Sequence, residues 1–266
     1  MMIMNVFAAV LFTVVSGGVD AKQIHAILIG DTSDATIGAG VVSNLASIRG
    51  LLGAVQSEAQ VPVSFIEVKD GSFNCRAIWS AINALTIDRD DTVLFFYSGH
   101  GFKSSSSATK FPEFDCRRAA DDARAELAGI VTAIREKGPR LVVGISDTCN
   151  KETMVTPGPT IASAAPAVDR GPGFRRLFLD YSGTLMMTAA EPNQFAWYVN
   201  GGPLSGGFFT NQLLKVIDSR VKRDGAKVRW EDISSDATRK LIIPVPGDPT
   251  EQQPVAAELG LNAPPT

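Results

Sequence analysis

Apolar positions along the chain alternate between two periods. Residues 24–29 (IHAILI) form a short apolar run closed by Gly30 and Asp31, as expected of a buried strand. Residues 31–43 are rich in Gly, Ser, Thr and Asp and read as a loop; Leu45, Ile48, Leu51, Leu52 and Val55 then recur at helical spacing. Val61, Val63 and Phe65 alternate as a second strand, and Asp70-Gly71-Ser72 marks a turn. A helix follows on Ala77, Ile78, Ala81, Ile82 and Leu85. Residues 93–97 (VLFFY) are uninterruptedly apolar, which predicts a strand buried on both faces.

After a Ser-rich loop over 102–116, Ala123, Leu127, Ile130, Val131 and Ile134 predict a third helix, ended by Lys137-Gly138-Pro139. Residues 141–145 (LVVGI) repeat the buried-strand pattern. Residues 151–173 are Pro-rich and lack a period, and the segment 151–180 reads as an exposed linker. A strand at 185–188, a helix over 208–217 capped near Thr210 and a helix over 230–243 complete the pattern. From 244 to 266 the Pro/Ala-rich tail reads as disordered. Strand–helix alternation predicts an α/β fold, a three-layer α-β-α sandwich on a mostly parallel sheet. The linker divides one domain into a larger part, 22–150, and a smaller part, 181–243.

Composition narrows the class. The chain has 266 residues, a net charge of -3, 45% hydrophobic and 20% charged residues, enough for a full core. Its mild acidity argues against nucleic acid as a partner, because phosphate binding needs a basic face. Residues 1–15 are apolar apart from Asn5 and Thr13, and small residues lead to Val19-Asp20-Ala21. Residues 1–21 therefore read as a signal peptide of an exported protein, periplasmic or secreted, and no later stretch reads as a membrane span. Cys75, Cys116 and Cys149 are widely spaced and form no CxxC pair, so no metal site is expected, and an odd number leaves at least one thiol free. His25 lies inside the first strand and reads as structural.

Sites in open parallel sheets form beyond the carboxyl ends of strands. The run 93–97 leads into Ser98-Gly99-His100-Gly101, and the run 141–145 leads into Ser146-Asp147-Thr148-Cys149. If those strands are neighbours, His100 and Cys149 meet on one rim, where an imidazole can take the proton of a thiol. The amides of Gly101 and Cys149 are candidates for an oxyanion hole. Residues two apart in an extended segment point the same way, so Asp147 is expected beside Cys149 and Ser98 beside His100. An acid next to the nucleophile suits a cationic substrate side chain.

These residues resemble the caspase family, and more closely its metacaspase and bacterial branches. His25-Ala26-Ile27-Leu28-Ile29-Gly30 is similar to the family's first strand, Tyr97-Ser98-Gly99-His100-Gly101 to its histidine motif, and Asp147-Thr148-Cys149 to its cysteine motif. Residues 184–217, with Ala189-Ala190 and Gly206-Gly207-Phe208-Phe209-Thr210, resemble its small-subunit region. The spacing from His100 to Cys149 is close to the roughly 50 residues of the caspase signature.

The resemblance implies a caspase–hemoglobinase fold and a peptidase with Cys149 as nucleophile and His100 as general acid/base. Asp147 stands where caspases carry a Gln and metacaspases an Asp, which implies cleavage after Arg or Lys, with Ser98 as a further pocket wall. A second pocket aspartate is expected near the first helix. Asn44 and Leu45 lie there, and Asp31 or Asp34 of the first loop is the candidate substitute. Lys151, Arg170, Arg175 and Arg176 in the linker are sites at which such an enzyme would cut itself. The resemblance implies no cofactor; it allows calcium activation, without a calcium loop in the sequence. It favours a monomer over a dimer and a protein or peptide substrate. A weakly catalytic binding module of the same fold and a non-peptide acyl hydrolase using the same dyad remain alternative readings.

Overall fold

The computed structural model describes residues 22–117, 123–151, 169–199, 205–244 and 250–264. The first half runs β1 (Ile24–Gly30), α1 (Gly38–Ala59), β2 (Val63–Val68), α2 (Cys75–Asn83), β3 (Thr92–Ser98), the short β4 (Gly101–Phe102) and β5 (Glu113–Phe114), α3 (Leu127–Glu136) and β6 (Leu141–Asp147). The second half runs α4 (Gly171–Arg175, continued as a π-turn over Arg176–Asp180), β7 (Ser182–Thr188), β8 (Tyr198–Val199), β9 (Gly206–Gly207), α5 (Phe208–Asp224), α6 (Trp230–Ala237), β10 (Leu241–Ile243), β11 (Thr250–Gln252) and β12 (Val255–Asn262).

Six strands form the central sheet in the order β12-β7-β6-β3-β1-β2. All neighbours are parallel except β12, which runs antiparallel to β7. The continuous apolar runs divide between the two faces by strand alternation. Ala26, Leu28, Leu94, Phe96, Val143 and Ile145 pack on one face with residues of α1, α4, α5 and α6. Ile27, Ile29, Val93, Phe95, Tyr97 and Val142 pack on the other with α2 and α3. The expected three-layer α-β-α sandwich is therefore the fold.

Several sequence expectations are corrected. The tail is not disordered where it is described: β12 covers the edge of β7, whose backbone groups would otherwise lie open. Its register shifts between Leu259 and Asn262. Gly183 and Gly260, both at positive φ, pass each other there: a Cβ on Gly183 would lie 2.2 Å from the Gly260 carbonyl oxygen. The helix expected over 230–243 stops at Ala237, and the β-branched Ile242 and Ile243 join β10, paired with β11.

Residues 171–180, expected in the linker, are helical and carry the buried Phe174, Leu177 and Phe178. Arg170 pairs with Glu58 and Asp218, and Arg175 donates to Ala59 O. Arg176 is 9% exposed. These three arginines are thus built into the fold rather than displayed as cleavage sites. Helix α1 is long and apolar enough to cross a membrane, contrary to the expectation that no later segment is; here it packs Val41, Leu45, Ile48, Leu52 and Val55 into the core. The signal peptide assigned to 1–21 lies outside the described residues, as do 152–168 of the linker.

His25 is structural: its Nε2 lies 2.9 Å from Asp91 Oδ2 and its Nδ1 3.1 Å from Ser64 Oγ, at the amino end of the sheet. Two cysteines left unassigned by the sequence pattern, Cys75 and Cys116, are joined in a disulfide between the start of α2 and the segment after β5. Replacing both with alanine is expected to cost about 2–5 kcal/mol of folding free energy, measured by urea denaturation. An unchanged unfolding midpoint would show the bridge to be energetically idle.

Candidate active site

Strand register places the site. Gly30, Ser98 and Asp147 end β1, β3 and β6 side by side. The loops that follow leave the sheet on one rim, as expected for parallel strands. Two contacts then hold the histidine loop against the cysteine loop. Gly99 N donates to Asp147 O at 3.3 Å. Gly101 lies flush on Thr148: a Cβ there would come within 2.3 Å of Thr148 Oγ1. His100 therefore sits between two glycines that each touch the strand end carrying Cys149, so the loops that carry the imidazole and the thiol adjoin.

The backbone of His100 is fixed from two sides. Its carbonyl accepts from Tyr97 Oη at 2.6 Å and from Asp115 N at 3.0 Å. Tyr97 is itself stacked on Phe114, centroid to centroid 3.8 Å. Gly99 allows this hydrogen bond, because a Cβ there would lie 2.6 Å from Tyr97 Oη.

The ring of His100 faces the first loop. Its Nε2 lies 3.3 Å from Asp34 Oδ2 and 3.5 Å from Thr36 Oγ1. Burial works to raise the Asp34 carboxyl, but hydrogen bonds from Thr36 and Ile37, helped by the nearby imidazole, outweigh it and hold the group below its usual range.

The Cys149 thiol is 9% exposed and is the free cysteine of the described chain. It meets the segment between β7 and β8: Sγ accepts from Ala196 N at 3.4 Å and donates to Ala196 O at 3.5 Å. Burial pushes the thiol up from its ordinary value, and the Asp147 charge adds to the effect. No hydrogen bond joins the thiol to the imidazole; each is bonded elsewhere. Asn150, the residue after the thiol, is itself tied down: its amide donates to Gln194 O and its carbonyl accepts from Asn193 N.

Asp147 is fully buried. Its Oδ2 accepts from Thr210 N at 3.0 Å, from Thr210 Oγ1 and from Asn44 Nδ2 at 3.3 Å. Its Oδ1 is buried without a hydrogen-bond partner among the described residues. Burial raises the carboxyl to about 6, against the lowering effect of Thr210 and Asn44. Gly207 is required here, since a Cβ would lie 2.0 Å from Oδ2. Ser98 Oγ joins the cluster, accepting from Asn44 Nδ2 at 3.0 Å and lying 3.3 Å from Tyr198 Oη. Tyr198 Oη in turn donates to Asp147 O.

Asp147 and Ser98 thus share Asn44 and Tyr198 as hydrogen-bond partners, an arrangement distinct from the alternation expectation, which pairs Asp147 with Cys149 and Ser98 with His100. Asp31 is buried at the end of β1, where its amide donates to Ser98 O at 3.3 Å. Asp34 turns its carboxylate to His100, Thr36 and Ile37, not to the Asp147 cluster. The helix position where a second pocket acid is expected is filled by the Asn44 amide. Tyr198, Thr210 and Ala196 were not foreseen as site residues. Asn44 had a signal, a polar side chain within the apolar stripe of α1. Tyr198 had none. A separate cleft of about 380 Å³ lined by Gln212, Lys215 and Arg220 among others shares no residue with this site.

A buried free thiol and a histidine on adjoining loops at the carboxyl rim of a six-stranded sheet define a caspase-like cysteine-peptidase architecture. The caspase domain family model matches residues 63–255, and the chain belongs to that family. A protein of Geobacter sulfurreducens shares the fold at TM-score 0.50 and 14% identity, over 91% of this chain and 95% of that one. Caspase-1 from Spodoptera frugiperda shares it at TM-score 0.51 and 11% identity, over 90% and 86%. No curated protein matches the sequence significantly.

Proposed function

We propose that the protein is a cysteine endopeptidase that hydrolyses peptide bonds after Arg or Lys. Cys149 is the nucleophile, His100 accepts its proton and returns it to the leaving amine, and the amides of Gly101 and Cys149 hold the oxyanion. The observation that carries the specificity is the buried Asp147 carboxylate, two residues from the nucleophile, with Oδ1 left unpaired among the described residues. A buried acceptor without a donor is costly, and a substrate guanidinium or ammonium would supply one. Ser98, Asn44 and Tyr198 are hydrogen-bonded into the same buried cluster and keep the acid in place.

The buried disulfide suits an oxidising compartment, which favours export. Self-cleavage after a basic residue of the linker is expected at Lys151, because 152–168 contain no Lys or Arg and the three arginines beyond are engaged.

The test is a panel of fluorogenic peptides that differ only in the residue before the scissile bond. Arg and Lys peptides are expected to exceed the norleucine peptide in kcat/KM by on the order of 10²-fold or more, the scale of pairing a desolvated charge. Turnover restricted to simple esters, or equal rates across the panel, would remove the assignment.

A further inference from the structure

We propose that Asp34 is the positioning residue of His100, the carboxylate that fixes the imidazole's orientation and balances the positive charge the ring gains on taking the Cys149 proton. This rests on the peptidase reading above and moves Asp34 from candidate second pocket aspartate to partner of the base.

The argument is geometric. Asp34 divides its two oxygens between two tasks. Oδ1 accepts from Thr36 N at 2.7 Å, from Thr36 Oγ1 at 2.5 Å and from Ile37 N at 2.9 Å. Ile37 is the residue that caps the start of α1, so the 22-residue helix anchors the carboxylate. With Oδ1 held by three donors, Oδ2 is aimed at His100 Nε2, 3.3 Å away. Nε2 faces this carboxylate oxygen at 3.3 Å and Thr36 Oγ1 at 3.5 Å, surroundings that favour a ring proton on Nε2; the lone pair is then on Nδ1, and a neutral imidazole needs that lone pair to accept a proton from a thiol.

The chemistry asks for such a group. The thiol is buried and raised, so it enters the reaction protonated. As sulfur bonds to the substrate carbonyl carbon, its proton passes to His100. The proton then moves to the leaving amine as the C–N bond breaks. In the interval the ring is a cation, and a fixed anion 3.3 Å from it lowers the energy of that state. The side chains are 17% and 22% exposed, so water screens part of the effect. Losing the carboxylate is expected to lower kcat by about 10²-fold, less than the roughly 10⁴ that follows loss of the buried acid in serine-protease triads.

The experiment measures kcat, KM and melting temperature for the full-length wild type, Asp34→Asn, Asp34→Ala and Asp34→Glu with one Arg peptide. Asp34→Asn keeps an oxygen for the Thr36 and Ile37 donors and is expected to fold normally. The expected result is a kcat about 10²-fold lower in Asp34→Asn and Asp34→Ala, KM within about threefold of wild type, and partial recovery of kcat in Asp34→Glu. A raised KM with unchanged kcat would return Asp34 to the substrate pocket and overturn the proposal. So would unchanged kinetics, or a kcat loss that follows the melting temperature and is not recovered by Glu. A wild type without peptide turnover would overturn the peptidase reading and this inference with it; active wild type with indifferent Asp34 variants would overturn this inference alone.

Discussion

Cys149→Ala and His100→Ala are each expected to reduce peptide hydrolysis by roughly 10⁴–10⁶-fold, and the double variant is expected to be no slower than either. The two side chains act as a unit: the thiol is useless without a proton acceptor, and the acceptor has no task without the thiol. Burial and the adjacent Asp147 charge both oppose a resting thiolate at Cys149. The nucleophile must therefore be generated at the moment of attack. Iodoacetamide, which does not bring a peptide into the cleft, is accordingly expected to label Cys149 several-fold more slowly at neutral pH than a free cysteine of pKa about 8.5. Initial rates on an Arg peptide and mass spectrometry of the adduct check the two statements. Residual hydrolysis by Cys149→Ala at wild-type levels would point to another nucleophile, and rapid labelling would show the thiol to be ionised at rest.

How much of this was legible in the sequence depended on whether the determining interaction was local. The runs 93–97 and 141–145 read as doubly buried strands because every residue in them is apolar, and the structure extends each to the seven-residue β3 and β6. β3 and β6 are parallel neighbours, so the loops that carry His100 and Cys149 leave the sheet side by side. The glycines around His100 also carried meaning, since Gly99 and Gly101 permit the Tyr97 and Thr148 contacts.

What could not be read was set by long-range geometry. Asn44 and Asp147 are 103 residues apart, yet their side chains are hydrogen-bonded. Asp31 and Asp34 lie in one loop and were interchangeable by composition; only the turn over Thr36 and Ile37 decides that Asp34 reaches the imidazole. The Pro/Ala content of the tail reported weak local preference and was silent about the open edge of β7, which β12 satisfies. The Cys75–Cys116 pair escaped for the same reason, because spacing alone does not reveal that α2 begins beside the end of β5.

Asp147→Asn is expected to do two opposite things: remove Arg/Lys selectivity and stabilise the fold. The carboxyl titrates at about 6 in the folded protein against 3.8 ordinarily, burial being the main cause. Folding therefore favours the protonated form. The stability this contributes is complete below the unfolded value and is lost as pH rises through about 6. Above that pH the wild type carries a buried charge whose cost is on the order of 3 kcal/mol. Asparagine carries no charge at any pH, and its carbonyl oxygen can still accept from Thr210. The variant should melt higher than wild type at pH 8, with the difference closing toward pH 4.

Function should move the other way. A cationic side chain needs the ionised acid, so the Arg-to-norleucine ratio of kcat/KM in the wild type is expected to fall as pH drops through about 6. Taking the ratio cancels the titration of the catalytic pair. In Asp147→Asn the ratio should be small and flat with pH, with Arg turnover lower by about 10²-fold or more and norleucine turnover little changed. Thermal melts at the two pH values and the two-peptide ratio across pH 5–8 measure both effects. A variant that keeps the Arg preference would show that another group reads the substrate charge. One that gains no stability at pH 8 would show that the buried carboxylate costs the fold nothing, leaving the pocket without the tension from which its selectivity was argued.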